Sequence, residues 1–305
     1  MTLSALLDVT PILLLILLGI VLRSVGLFDR QSGMALTRLA YYVTIPATIF
    51  TSIARSQLTG GMLLLPVIGF VLPCLLAGLA YLSTRRLSDQ PQLRGVLLVA
   101  MVVLGVFGYP FFHLFFGEEG LARMAMYDVG NSLYAGTVAL LLARTFGTRE
   151  QGPKRQLWRT VATSPILWAA ALGVLAALVG LTVAGPVGDL LGLLAGANAP
   201  IAMIAVGIFV RPRATYGRLM AQFVGIRMVA GALLGLGIAL VAGMAGLDVI
   251  VACAASALPA GTTALVYSAN EGLDAEFAAS LISVTVLLGA LAINVLPHLL
   301  ASVYL

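Results

Sequence analysis

The sequence predicts an all-α polytopic membrane protein of ten transmembrane helices, built as two inverted five-helix repeats with helices 4 and 9 broken. Three observations predict it. Of the 305 residues, 61% are hydrophobic and only 10% charged, whereas a soluble domain carries about 25% charged residues. The first half of the chain recurs in the second at a nearly constant offset. A proline-glycine break interrupts an apolar run at corresponding places in the two halves.

A span needs about 20 apolar residues. Ten runs qualify: 6–22, 34–54, 62–83, 95–117, 120–144, 164–184, 187–210, 216–243, 247–269 and 275–303. "MTLSALLD" has no basic segment ahead of the first run, which therefore reads as a retained helix rather than a cleaved leader. Most connections are short. The longest polar one, "GTREQGPKRQLWRTVAT", lies midway. The divisions are thus 1–147, a cytoplasmic linker 148–163, and 164–305.

Basic residues orient the spans. With the N-terminus outside, fourteen of the 17 fall in inner loops and only Arg55 and Arg123 in outer ones, while Arg227 lies within a span. Both termini are then external to a bacterial cytoplasmic (inner) membrane. The basic excess is a topology signal and not a nucleic-acid footprint. Cys74 and Cys253 lie inside apolar runs and suggest no disulfide framework.

A shift of 154 residues lays "TPILLLILLGIVLRSVGL" (10–27) over "SPILWAAALGVLAALVGL" (164–181) with eight of 18 positions identical. The same shift puts Pro46 on Pro200, and Pro110 of "GVFGYPFF" matches Pro259 of "ALPAGTT" at a slightly different one. Halves of five spans face opposite ways, the plan of many secondary transporters, whose sites form where two discontinuous helices meet. Pro110 and Pro259 each suit the first position of a new half-helix, where a missing N–H costs nothing. The free N–H groups there carry partial positive charge toward the midplane. Gly105, Gly108 and Gly261 permit close backbone approach, and Thr262, Thr263 and Ser268 add hydroxyls. A small anion suits that environment. Two ordinary proline kinks, repaired by neighbouring helices, are the plainer reading.

"YYVTIPATIFTSIA", "GVFGYPFF...GEEGL", "SPILWAAALGVLAALVGL...ANAPIAMIAVGIFV" and "ALPAGTTALVYSANEGLDAE" together resemble the auxin efflux carrier family, within the bile acid, arsenite and riboflavin transporter superfamily. The short central loop is similar to that of compact bacterial members. The resemblance implies an elevator-type carrier of a small organic anion, a carboxylate such as auxin or a dicarboxylate. Spans 1, 2, 6 and 7 would form a scaffold, expected to be homodimeric. Spans 3–5 and 8–10 would form a moving domain in which helices 4 and 9 cross at Pro110 and Pro259. Val103 stands where the family often carries asparagine, seven residues before the span 4 proline, which disfavours auxin itself. The acid that sodium-coupled relatives carry beside the span 9 break is absent from "PAGT". A sodium-coupled symporter of the bile-acid type is therefore an alternative, as is a channel or ligand-sensing membrane protein.

Polar residues inside spans are the remaining signal, because burying them in lipid is costly. Asp128 lies about 12 Å along span 5 at 1.5 Å per residue, with Asn131 on the same face one turn later. Asp128 is the candidate group for proton or ion coupling. Arg227 could pair with it, attract the anion, or snorkel to the inner surface. Tyr109 and Tyr267 flank the breaks, and Tyr109 joins Gly105, Gly108, Pro110, Asn131, Pro259, Gly261, Thr262 and Thr263 as a candidate substrate contact. Asn198 reads as an interhelical hydrogen-bonding group of the scaffold, and His113 as packing before proton relay. Glu118 and Glu119 suit the start of span 5. No HExxH, G-x-S-x-G or Cys/His cluster occurs, so neither an enzyme, a metal site nor a cofactor is indicated. The partners implied are a small organic anion, protons and membrane lipid.

Overall fold

The structure, a computed structural model, describes residues 3–85, 89–149, 162–181, 183–210 and 217–305. The predicted linker 148–163 lies largely outside them. Helices occupy every apolar run that the sequence marks. In chain order they are α1 (Leu3–Ser24), α2 (Arg30–Leu39), α3 (Ile45–Arg55), α4 (Gly60–Ser83) and α5 (Pro91–Val99). Then come α6 (Gly105–Tyr134), α7 (Leu140–Phe146), α8 (Pro165–Leu178), α9 (Gly185–Phe209) and α10 (Gly217–Val224). Last are α11 (Gly231–Val241), α12 (Leu247–Ser256), α13 (Thr263–Glu271) and α14 (Ala275–Tyr304). Single π-helical stretches, Ala40–Thr44, Ala135–Ala139 and Gly225–Ala230, join α2 to α3, α6 to α7 and α10 to α11.

Four of these segments are long and apolar enough on their own to cross a membrane: Gly60–Ser83, Gly185–Phe209, Gly217–Val241 and Ala275–Tyr304. The outward surfaces of α1, α4, α8 and α11 are rows of exposed leucine and valine, including Leu14, Leu17, Leu63, Val67, Leu172, Leu175 and Leu233. Such a surface belongs in lipid, where water gives no drive for helices to associate and close packing of small residues takes over. The chain is an all-helical integral membrane protein.

Small residues set the close contacts. A Cβ added to Gly19 of α1 would lie 3.0 Å from the Gly207 Cα of α9. A Cβ on Gly173 of α8 would lie 3.1 Å from the Ile53 Cβ of α3. On the other side, Gly69 of α4 and Gly130 of α6 leave no room for a Cβ against the facing backbone at Tyr127 and Pro66. α4 and α6 therefore pack backbone to backbone, as do α1 and α9.

The junction of predicted spans 4 and 5 is a turn inside the long α6. Gly117 adopts φ 59° and ψ −151°, a conformation that only glycine reaches without strain. Near the opposite end of the molecule, Gly272 closes α13 in the left-handed region, φ 77°. Leu273 N–H then donates to Ser268 O at 2.9 Å, and Arg149 N–H donates to Glu271 O at 3.3 Å, fastening the end of α7 to the end of α13.

Candidate substrate and coupling site

Two stretches without helix lie at the centre of the molecule. α5 stops at Val99 and α6 begins at Gly105; α12 stops at Ser256 and α13 begins at Thr263. Backbone groups released there must find partners, because hydrocarbon offers none. They find each other. Leu104 N–H donates to Pro259 O at 2.8 Å and Gly261 N–H donates to Val102 O at 2.8 Å. Val103 and Ala260 thus face one another as an isolated antiparallel bridge. Ala260 N–H donates to Thr285 Oγ1 of α14 at 3.2 Å.

Asn131 holds both backbone groups of Val103. Its Oδ1 accepts from Val103 N–H at 2.7 Å and its Nδ2 donates to Val103 O at 3.1 Å. The side-chain amide mimics a neighbouring strand. Gly261 completes the crossing: a Cβ there would lie 2.9 Å from Val102 Cγ1 and 3.0 Å from Val103 O. Backbones can meet this closely only where one partner lacks a side chain.

The prolines act differently from the expectation drawn from sequence. Pro110 is not the first residue of a half-helix. It sits inside α6, five residues after the helix starts. Pro259 lies in the unwound stretch, four residues ahead of α13. The half-helix start is set by the crossing itself. Val103 must remain extended to bond Asn131 and face Ala260, so helical geometry resumes only after Leu104.

The Asp128 carboxylate lies against the first residue of α6. A Cβ on Gly105 would overlap it. One oxygen accepts from Asn131 Nδ2 at 2.8 Å and the other from Tyr109 Oη at 2.8 Å. Asp128, Asn131 and Tyr109 are only 4%, 4% and 1% exposed. An anion at a helix N-terminus is well placed electrostatically. At this terminus the carboxyl group is the protein's own.

Arg227 is wholly buried in the π-helical turn Gly225–Ala230. Its Nη1 donates to Ser256 O, the last residue of α12, at 2.8 Å. A cation at a helix C-terminus is again favourable. Of the uses open from sequence, pairing with Asp128 is not made in this conformation, and the buried guanidinium does not reach the surface. Its Nε and Nη2 have no partner among the described residues. Tyr134 Oη donates to Leu98 O at 3.1 Å, covering the C-terminal end of α5 in the same way.

The other expected residues divide between packing and openness. Gly108 faces Leu258 and Met124 side chains. Pro110 and Pro259 are buried. Thr262 and Thr263 are half-buried at the start of α13, and the Thr262 side chain caps nothing. The Ser268 hydroxyl is buried without a partner among the described residues. Tyr267 Oη donates to Ala135 O at 3.1 Å, away from the crossing. Asn198 does bridge helices: its Oδ1 accepts from Thr44 Oγ1 at 2.9 Å.

Beside this centre lies a cavity of about 360 Å³ between α3, α6 and α9. Thr48, Ser52 and Arg55 of α3, Asn198 of α9, and Tyr109 and His113 of α6 are among its lining residues. At its rim His113 Nδ1 lies 3.8 Å from a Glu118 carboxylate oxygen. Ser52 and Arg55 are not among the site residues expected from sequence. Their signal is nonetheless present there: Thr44, Thr48, Ser52 and Arg55 recur every three or four residues along a mostly apolar helix, which is one face.

Comparison with known proteins bears on the family of the chain. The profile of the membrane transport protein family matches residues 4–297. An uncharacterized transporter of Methanothermobacter thermautotrophicus is 32% identical over 289 residues, covering 92% of this chain and 93% of its own. An uncharacterized transporter of Methanocaldococcus jannaschii is 28% identical over 289 residues, covering 90% and 92%. The chain belongs to the membrane transport protein family, the auxin efflux carrier family that its motifs resemble.

Proposed function

We propose that this transporter is a secondary carrier moving a small organic anion, a carboxylate, across the cytoplasmic membrane by an elevator-type motion. The observation that carries the reading is the crossing of two unwound stretches, bridged by Val103 and Ala260, at corresponding places in the two halves. A channel has no need of paired breaks, whereas alternating access uses symmetry-related elements that exchange environments.

The inverted repeat is supported by contacts that occur twice. Gly19 and Gly173 are 154 positions apart, and so are Ile53 and Gly207. The Gly19–Gly207 contact and the Gly173–Ile53 contact are thus one contact seen from each half. Thr44 and Asn198, also 154 apart, bond to each other. A residue that meets its own repeat-mate lies next to a two-fold pseudo-axis. Residues 1–147 and 164–305 would then be five-span units of opposite orientation, with both termini outside.

On this reading α1, α2–α3, α8 and α9 form the static scaffold, through which two copies associate. The remaining helices carry the crossing, and Asp128 couples their motion to protons or another ion. A thermal-shift screen of the purified protein against acetate, malonate, succinate and indole-3-acetate tests the substrate class. A ligand at 100 times its Kd stabilises the native state by about 2.7 kcal/mol. Carboxylates raising the melting temperature while their amides do not is the expected result; stabilisation by amines instead would exclude an anion carrier.

A further inference from the structure

Gly19, Gly69 and Gly130 are packed so closely by another helix that a Cβ has no room. Gly217 and Gly225 are different: a Cβ on either would meet nothing within 4 Å. They border a groove of about 540 Å³. Gly217, Ala221, Val224 and Gly225 lie along one wall and Val284 and Leu288 of α14 along the other, and no polar side chain lines it. Small residues on one face of a membrane helix ordinarily admit a second helix. Here α10 is held elsewhere: Phe223 is buried, and Gln222 Nε2 donates to Ser83 O at the end of α4 at 3.2 Å. The groove stays open beside the exposed side chains Val229, Leu287 and Leu291. Its two walls belong to segments long and apolar enough to cross a membrane, so its surroundings are lipid.

The groove ends in a cation. Arg218 is exposed and has no ion-pair partner among the described residues. It stands two turns before Gly225 and so on nearly the same azimuth of the helix. Arg211 and Arg213 precede it in "RPRATYGR", a stretch without any acid. On the orientation that the basic loops imply, this end lies at the cytoplasmic surface. From Gly217 to Gly225 the helix rises about 12 Å, which is close to the depth of one leaflet's hydrocarbon. Hydrocarbon walls under clustered cations fit an anionic diacyl lipid, because basic residues beside a span attract such headgroups. A zwitterionic lipid offers the same chains without the net charge.

We propose that the groove between α10 and α14 is a binding site for an anionic phospholipid, with an acyl chain along Gly217, Ala221 and Gly225 and the phosphate on Arg218. Gly225 is also the first residue of the π-helical turn that carries Arg227. A lipid seated there packs against the segment from which Arg227 reaches Ser256 O at the end of α12. The proposal needs only that the chain is embedded in a membrane, and it stands or falls apart from the carrier reading.

The test reads lipid preference at the groove itself. In a Trp158→Phe, Trp168→Phe background, Leu288→Trp places a fluorescent reporter on the groove wall of the full chain. The protein is reconstituted in vesicles of equal phosphatidylglycerol and phosphatidylcholine, one or the other brominated on its acyl chains, and quenching of the tryptophan gives their relative affinity. A basic residue near the surface contributes about 1 kcal/mol to an anionic lipid, or about fivefold in affinity. Phosphatidylglycerol should therefore be preferred at Leu288→Trp by about fivefold or more. The preference should fall about fivefold with Arg218→Gln. It should persist with Arg218→Lys, and with Arg38→Gln, which removes an exposed cation at the end of α2. A reporter at Leu233→Trp, on the lipid-facing surface of α11 outside the groove, should show a ratio near unity. Ala221→Phe, which fills the groove, should weaken quenching at Leu288→Trp by both lipids. Val284→Trp, on the same wall, replaces Leu288→Trp if the latter does not fold. A ratio near unity at the groove, an equal preference at Leu233→Trp, or a preference indifferent to Arg218→Gln each overturns the proposal. So does quenching by neither lipid, the result if a second copy of the chain covers the groove.

Discussion

Asn131→Ala tests the physical reasoning about the crossing most sharply. Asn131 makes three buried hydrogen bonds, to Val103 N–H, to Val103 O and to the Asp128 carboxylate. Truncation leaves both backbone groups of Val103 without partners. Each buried polar group so orphaned costs about 1–3 kcal/mol. The Asp128 carboxylate still accepts from Tyr109, so its loss lies at the low end. A water entering the vacated space recovers part. The expected destabilisation is about 3 kcal/mol on these figures. Asn131→Asp keeps an acceptor for Val103 N–H but loses both donors and places a second carboxylate beside Asp128. It should be at least as damaging. The assay is unfolding in mixed micelles titrated with sodium dodecyl sulfate, followed by helical circular dichroism. Destabilisation of Asn131→Ala by less than about 0.5 kcal/mol, the range of ordinary surface substitutions, would refute the claim that this side chain holds the unwound segment.

Four further outcomes rest on the same geometry. Gly105→Ala should disturb transport far more than Gly108→Ala, because the first drives a methyl into the Asp128 carboxylate and the second meets only flexible ends of Leu258 and Met124; equal proteoliposome uptake by both would contradict this. Gly261→Val should abolish uptake with less effect on expression, since the added atoms press on Val102 and Val103. Arg227→Met should leave stability unchanged or raise it by about 1–3 kcal/mol, as buried charges replaced by apolar groups often do, because only one of its hydrogen-bonding nitrogens is satisfied among the described residues; a large loss of stability in the same micelle titration counts against that view of its burial. Asp128→Asn should fold and still bind carboxylates, with uptake that no longer responds to pH; an unchanged pH profile makes Asp128 structural.

Much of this is legible in the sequence for a physical reason. Apolar run length dictates helices in a lipid-facing chain, and the runs 34–54, 62–83 and 187–210 fall within a few residues of the observed helices. The two interruptions are legible too, since proline, glycine and threonine in an apolar run announce backbone groups that need other partners. Their position is not. The turn that Pro110 constrains lies inside α6, whereas the break at 100–104 is further upstream, where pairing across to residues 259–261 fixes it. That pairing is a long-range contact with no local signature. The surroundings of Asp128 are half legible: spacing puts Asn131 on its face, but Tyr109 reaches it from 19 positions away. Arg227 is ambiguous in sequence because a long side chain can reach several places; the backbone carbonyl of Ser256 decides it. Ser52 and Arg55 are easily overlooked because hydroxyls in membrane helices commonly bond their own backbone. Thr48 and Thr51 do so at 2.8 Å, whereas Ser52 does not.

Paired broken helices that make this protein a carrier of small carboxylates should support counterflow. Proteoliposomes loaded with unlabelled malonate, succinate or acetate are diluted into the same labelled anion. Saturable accumulation of label is expected with at least one of them, absent from Gly261→Val vesicles, at turnover far below channel conductance. No exchange of any of the three, or ohmic anion current in place of saturable exchange, would contradict the carrier assignment.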